Sequence, residues 1–336
     1  MGGTSAERDV SLASGVRVAE ALRSRGHEVL SVDTAHGVLS APEEQALLAG
    51  KVVKTIPPDV QALVRLNAQL PGTLRSLPET EVVFLALHGG QGEDGTLQAL
   101  FDLAGVRYTG SGHLGSAIAM DKHLSKTLFR AAGVGTADWT MAPPPDAAAP
   151  HRARFRDDVA ALGLPLVVKP SKQGSTVGLT IVRDLADLDG AVAEAFRYDD
   201  EVMVECFIAG RELTVGILGT DALPVIEIVP KHEIYDYECK YTKGMAEEHV
   251  ADLGDEATGR IQEQARLAFD ALKLTGYGRV DFRMDELGNF FCLEINTLPG
   301  MTELSLIPQA ATAAGILFPE LCERIVRNAR GHTGAA

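Results

Sequence analysis

Between residues 279 and 305 apolar and polar positions change places one by one. Val280, Phe282 and Met284 alternate with Asp281, Arg283 and Asp285, the period-two pattern of a strand with one buried face. Residues 285–289 carry turn chemistry, with Gly288 able to take a positive φ, and residues 290–295 run back as a second strand. Such a hairpin brings Asp281, near the start of one strand, beside Glu294 and Asn296, near the end of the other. Glu294 and Asn296 are two apart, so they share a face.

Upstream, Leu12, Val16, Ala19 and Leu22 recur at helical spacing, with Gly26 as a stop, and residues 29–32 read as a strand. A glycine-rich loop in a doubly wound domain normally follows a strand. Here Gly2 and Gly3 open the sequence, so the N-terminal domain is expected to lack its usual first strand. Residues 45–48 and 60–70 look helical, broken by Pro57-Pro58 and Pro71-Gly72. The apolar run 82–87 has the character of a buried parallel strand. It ends in a glycine-rich loop, residues 88–95, ahead of a helix over 96–103, which is where α/β sheets place ligands. His88 there is either a ligand contact or a cap. A short strand at 106–108 and helices to about Ala132 follow. Residues 136–149, with three consecutive prolines from Pro143, predict a linker.

The second half starts with a helix at 157–162 and a strand at 164–168. Residues 169–179 then form a loop rich in Gly, Ser and Thr between two strands. Backbone N–H groups of such a flap cradle anions, and Lys169 adds charge, although the Walker spacing is absent. A helix at 185–196 precedes a strand at 201–205 that turns into an apolar linker ending at Ile208. Further strands are expected at 212–218 and 223–229. Residues 234–245 are polar, aromatic and aperiodic, the composition of a functional loop. A helix at 257–272 leads into the hairpin, and helices at 308–314 and 319–329 close the chain.

Composition narrows the picture. At 336 residues the chain can form two or three domains. With 46% hydrophobic and 23% charged residues it has the balance of a globular protein. No apolar run reaches membrane-spanning length, and no signal pattern opens the chain, so no membrane association is expected. The four cysteines (Cys206, Cys239, Cys292, Cys322) are scattered without metal spacing, which points to free thiols in a reducing cytoplasm. A net charge of −15 excludes nucleic acid as a general partner. It also gives weight to each lysine near a glycine-rich loop. Asp281, Glu294 and Asn296 are hard oxygen donors of the kind Mg²⁺ shares with substrate phosphates. The rigid Pro-Gly loop at 296–302 follows them directly.

Six stretches in this order, residues 2–8, 88–95, 108–122, 169–178, 235–241 and 279–305, resemble the D-alanine–D-alanine ligases of the ATP-grasp superfamily. The resemblance implies an α/β (in part α+β) fold, with an N-terminal doubly wound domain at 1–120 and a two-part ATP-grasp fold at 121–212 and 213–336. It implies that one D-alanine carboxylate attacks the γ-phosphate of ATP to give an acyl phosphate, which the amine of a second D-alanine displaces. Asp281 would hold one Mg²⁺, Glu294 would bridge two, and Asn296 would hold the other, with Mn²⁺ able to substitute. Lys122 and Lys169 match lysines on the α- and β-phosphates, and Lys240 one reaching the γ-phosphate. Glu205, Cys206, Phe207 and Ile208 match the adenine-binding linker and Glu212 the ribose acceptor. Glu7 would bind the first D-alanine's ammonium with His88 nearby. Arg279 and the Gly300 N–H would stabilise the oxyanion. Ser305 and Leu306 would meet the second D-alanine's carboxylate. Glu7, Ser175 and Tyr241 match a hydrogen-bonded trio that ties the loop to the site. A homodimer is also implied. Residues 247–252 lack a proline the family usually carries, and the run at Pro143 matches no family motif. Rival readings are a ligase taking D-lactate, D-serine or an antibiotic precursor second, and an inactive nucleotide-binding paralogue. Tyr241, where depsipeptide-forming relatives often carry Phe, favours an amine nucleophile.

Overall fold

The computed structural model describes residues 1–3, 5, 7–49, 80–174, 176–232, 234, 239, 242 and 244–329. The expected helix at 60–70 lies outside them. The first helix, Arg8–Ser24, buries Val10, Val16, Val18, Ala19 and Leu22 on one face. It ends at Ser24, and Arg25 rather than Gly26 takes the capping position. Strand β1 (Val32–Asp33) pairs with β2 (Gly37–Val38). Met1 makes a parallel rung beside β1: its amino group donates to Val32 O at 2.9 Å, and Thr34 N–H donates to Met1 O at 3.1 Å. The apolar run at 82–87 is extended, with Leu85, Ala86 and Leu87 buried, and bridges in parallel through Val83 to Tyr108.

A four-stranded antiparallel sheet follows, β3 (Trp139–Met141), β4 (Leu166–Pro170), β5 (Thr180–Val182) and β6 (Val202–Cys206), in the order β3-β6-β4-β5. The expected linker at 136–149 therefore contains a strand. Trp139 and Thr140 are β-prone, and Trp139 to Met141 pair with Glu205 to Met203 at the sheet edge. The prolines come just after, where a strand has to stop. Helices Ala149–Leu162 and Leu188–Ala195 cover this sheet.

The larger sheet comprises β7 (Arg211–Leu218), β8 (Asp221–Ala222), β9 (Ile226–Pro230), β10 (Ala246–Val250), β11 (Tyr277–Met284) and β12 (Phe290–Asn296). Its order is β10-β9-β7-β11-β12, with β8 attached to β7. Residues 247–250 of the stretch that lacks the family's proline lie in strand β10, paired from Ala246↔Pro230 to Val250↔Ile226. One sheet face is apolar: Leu213, Val215, Val280, Phe282, Cys292 and Ile295 pack on Ile261, Ala265, Ala268 and Phe269 of helix Gly254–Ala271. That burial leaves the opposite, polar face for chemistry. Helices Leu306–Ala313 and Phe318–Arg327 close the chain against the first helix, where Arg25 pairs with Glu320 and Glu323.

Candidate active site

The register of β11 and β12 sets Asp281 directly opposite Glu294, and Arg279 opposite Asn296. Glu212 and Thr214 of β7 face Arg283 and Asp281 from the other side. Seven side chains of one sheet face are thereby collected. A bulge sharpens the arrangement. Asp281 pairs with Glu294 but Phe282 with Cys292, so Leu293 has no rung of its own. Cys292 stays in the core, while Leu293 and Glu294 both line a cleft. Arg279 donates to both Asp281 oxygens at 2.9 and 2.8 Å, and the Thr214 hydroxyl donates to Asp281 Oδ1 at 2.6 Å. Asn296 Oδ1 accepts from Leu298 N–H at 3.1 Å. Among the described residues no three His, Cys, Asp or Glu gather as a metal cage. Two carboxylates and a carboxamide suit a divalent cation that completes its shell from a bound phosphate, which is how Mg²⁺ is usually held.

Two clefts meet at this face. One is lined by Lys169, residues 205–208, Glu212, Asp281 and Arg283. Its back wall is Glu205, 3% exposed, whose Oε2 accepts from Lys126 Nζ at 2.5 Å and whose Oε1 accepts from Lys169. Burial opposes ionisation there, but the two ammonium groups outweigh it and hold the Glu205 carboxyl at about 2. The linker beyond is clamped by Arg283, which donates to Ile208 O at 3.0 Å and to Glu212 Oε2 at 3.1 Å, with its guanidinium 5.7 Å from the Phe207 ring. Cys206 also lines this cleft, and its thiol donates to Leu162 O at 3.4 Å.

The other cleft is lined by Glu7, His88, Glu93, Arg279, Gly300, Ser305 and Leu306, among others. His88 ties its walls together. Nδ1 lies 2.7 Å from Leu298 O, so that nitrogen carries the proton, and Nε2 accepts from the Ser14 hydroxyl at 3.0 Å. Ser14 Oγ in turn accepts from Met301 N–H at 3.1 Å. Burial lowers the His88 pKa, so the ring is neutral, and both its nitrogens are spent on protein. Glu93 is buried beside it, with one oxygen accepting from Gly89 N–H. Burial, then the charge of Glu7, pushes the Glu93 carboxyl up to about 8. Ser305 is the N-cap residue of helix Leu306–Ala313, but its side chain makes no capping hydrogen bond. Its Oγ accepts from Thr302 N–H at 3.0 Å and shares a hydrogen bond with Thr302 Oγ1 at 2.9 Å. A Cβ on Gly300 would lie 2.6 Å from that same oxygen, so only glycine allows the loop to sit this close.

Lys122, Gly174 and Glu294 line both clefts. Lys122 Nζ donates to Gln173 O at 2.7 Å and lies 3.0 Å from Glu294 Oε2, on a helix whose first turn is capped by Asp121 accepting from Leu124 N–H. Ser175, Lys240 and Tyr241 lie outside the described residues. The sequence reading passed over Arg283, Thr214, Glu93 and Lys126. Two of them carried a signal: Arg283 is two residues from Asp281 on one strand face, and Lys126 is one helical turn from Lys122.

Two family profiles match the chain, the D-ala D-ala ligase N-terminus over residues 1–111 and the D-ala D-ala ligase C-terminus over 128–327. A relative from Geobacter sulfurreducens, a D-alanine–D-alanine ligase, is 44% identical over 333 residues, covering 98% of this chain and 92% of that protein. The crystal structure of a Bacillus anthracis D-alanine–D-alanine ligase complexed with ATP superposes with a TM-score of 0.75 at 31% identity, covering 98% of this chain and 94% of that one. The VanG D-Ala:D-Ser ligase from Enterococcus faecalis superposes at 0.79 with 28% identity, covering 97% of each chain.

Proposed function

The chain belongs to the D-alanine–D-alanine ligase family, and on that premise we propose how its two clefts divide the reaction. It is an ATP-dependent, ADP-forming ligase with the ATP-grasp fold, joining two D-alanine molecules into D-alanyl-D-alanine for peptidoglycan synthesis. The observation that carries the division is the wall shared by Lys122, Gly174 and Glu294. Among the described residues these three line both clefts, and a phosphoryl group would pass between the clefts beside them.

The adenine lies against residues 205–208 with its ribose toward Glu212, and Lys169 and Lys122 meet the phosphates. Asp281, Glu294 and Asn296 would hold two Mg²⁺, or Mn²⁺, which when bound neutralise phosphate charge as the nucleophile arrives. A cation at Asp281 competes with Arg279 for the same lone pairs. Arg279 also lines the amino-acid cleft, so a cation held at Asp281 would draw the carboxylate's lone pairs away from it. Glu7 takes the ammonium of the first D-alanine, and the carboxylate oxygen of that D-alanine attacks the γ-phosphorus as the bond to ADP breaks. The second D-alanine, carboxylate on Ser305 and Leu306, attacks the acyl carbon with its neutral amine. Arg279 and the Gly300 N–H receive the charge on the carbonyl oxygen, the excess proton leaves the nitrogen, and phosphate departs. His88 holds the two loops at their spacing. By resemblance, Lys240 would reach the γ-phosphate, the loop of Ser175 would close over the phosphates, and Ser175 and Tyr241 would tie the loop to Glu7. We further assign the chain to residues 1–120, 121–212 and 213–336 as three units, a homodimer as its assembly and the cytoplasm as its compartment. No described helix is long and apolar enough to cross a membrane.

Phosphate release with ATP and Mg²⁺ tests the reading, with D-alanine, L-alanine, D-serine and D-lactate offered separately. Strong stimulation by D-alanine with dipeptide as product is expected, and near-loss of turnover in Glu294→Gln. Substantial activity in that variant refutes the shared-wall assignment.

A further inference from the structure

We propose that Lys126 is a positioning residue for nucleotide choice: it fixes Glu205 as an ionised hydrogen-bond acceptor, and so selects a 6-aminopurine over a 6-oxopurine without touching either. This rests on the second cleft being the nucleotide cleft. Glu205 has two cationic partners of different character. Lys169 lines the cleft, where bound phosphates compete for it. Lys126 is 0% exposed, does not line the cleft, and keeps its ammonium on Glu205 Oε2. It is locked from behind by Trp139, whose ring centroid is 5.1 Å from Lys126 Nζ. The Trp139 indole N–H donates to His123 Nδ1 at 2.9 Å, and the Arg130 guanidinium stacks 4.3 Å from the same ring. When Lys169 turns to a phosphate, Lys126 is the cation still holding Glu205.

The charge state of Glu205 decides which base edge it accepts. An amino group at purine C6 offers N–H donors to a carboxylate. An oxo group there offers only lone pairs, which a carboxylate repels and a neutral carboxyl group would welcome. A carboxyl buried without a cation takes up a proton. Lys126 prevents that, and its contact with Oε2 also fixes which way the carboxylate plane faces.

Calorimetric titration of ADP and IDP tests this with wild type, Lys126→Met and Lys126→Arg. The wild type is expected to favour ADP. Lys126→Met should lower the ADP-to-IDP affinity ratio by roughly tenfold to a hundredfold, the worth of one charge-assisted hydrogen bond. Lys126→Arg should keep most of the ratio. An unchanged ratio in a folded Lys126→Met protein overturns the proposal and leaves a structural lysine. Should that variant fail to fold, Lys126→Gln, which keeps a polar contact to Glu205 but removes the charge, takes its place: a lowered ratio supports the proposal and an unchanged one overturns it. If the wild type binds neither nucleotide, the assignment of the cleft falls first, a failure read before any variant is made.

Discussion

Replacing Arg283 with methionine should weaken nucleotide binding far more than it weakens the handling of D-alanine. The guanidinium makes a charge-assisted hydrogen bond to Ile208 O at 3.0 Å and an ion pair with Glu212 at 3.1 Å, and it faces the Phe207 ring. The two charged side chains are only 12% and 14% exposed, so solvent screening is limited. The bond to the carbonyl is worth about 1.5–3 kcal/mol. The ion pair adds about 1 kcal/mol after the discount for its remaining exposure. These contacts share one side chain and do not simply add. A total near 2–4 kcal/mol is divided between folding and binding. The binding share should raise the Kd for ADP by roughly tenfold to a hundredfold. Methionine keeps the stem's apolar contacts, so Tm should fall by only a few degrees. Calorimetry with ADP, paired with steady-state kinetics in D-alanine, reads both. The KM for D-alanine should move less than about threefold. If ADP affinity stays put while Tm drops, Arg283 serves the sheet alone. If D-alanine KM alone moves, the clefts have been assigned the wrong way round.

Two further outcomes follow from the amino-acid cleft. Glu93 ionises at about 8 when folded, against 4.5 for a free carboxyl, so the native state keeps a proton that the unfolded chain sheds. The associated stability is present below pH 4.5 and is lost as pH rises through about 8, with a ceiling of roughly 5 kcal/mol. Glu93→Gln should flatten the fall of Tm between pH 5 and 9, and parallel curves for the two proteins would refute this. Gly89 sits at φ 66°, and a Cβ there would meet Glu7 Oε2 at 2.8 Å. Gly89→Ala should therefore raise the KM for the first D-alanine about tenfold through backbone strain and displacement of Glu7, and leave the KM for ATP unchanged. A shift confined to ATP would contradict it.

The hairpin was legible because two independent periods agreed, alternation of apolar residues and turn chemistry at Gly288. Its pairing of Asp281 with Glu294 follows from strand geometry alone. What lay hidden was non-local. The bulge at Leu293 depends on the register with β11, which no pattern within β12 records. Trp139 to Met141 sit among prolines and alanines, and three residues make too short a run to stand out until β6 offers an edge. Arg283 alternates as an outward-facing residue should, and only the fold shows that outward means toward residues 207, 208 and 212. Likewise the two hydrogen bonds of His88 join segments 74 and 210 residues away in the chain, beyond the reach of any window.

Trp139 is the one tryptophan in the sequence, and β3 places it opposite Glu205. Both Arg130 and Lys126 lie against its indole, and Lys126 in turn grips the carboxylate at the back of the cleft proposed for the nucleotide. Any redistribution of charge around Glu205 therefore reaches a single chromophore through one intervening side chain. Trp139 is thus expected to act as a built-in optical probe of nucleotide occupancy: emission excited near the red edge comes from one indole, and a titration with ADP should change it without a label or a coupled enzyme.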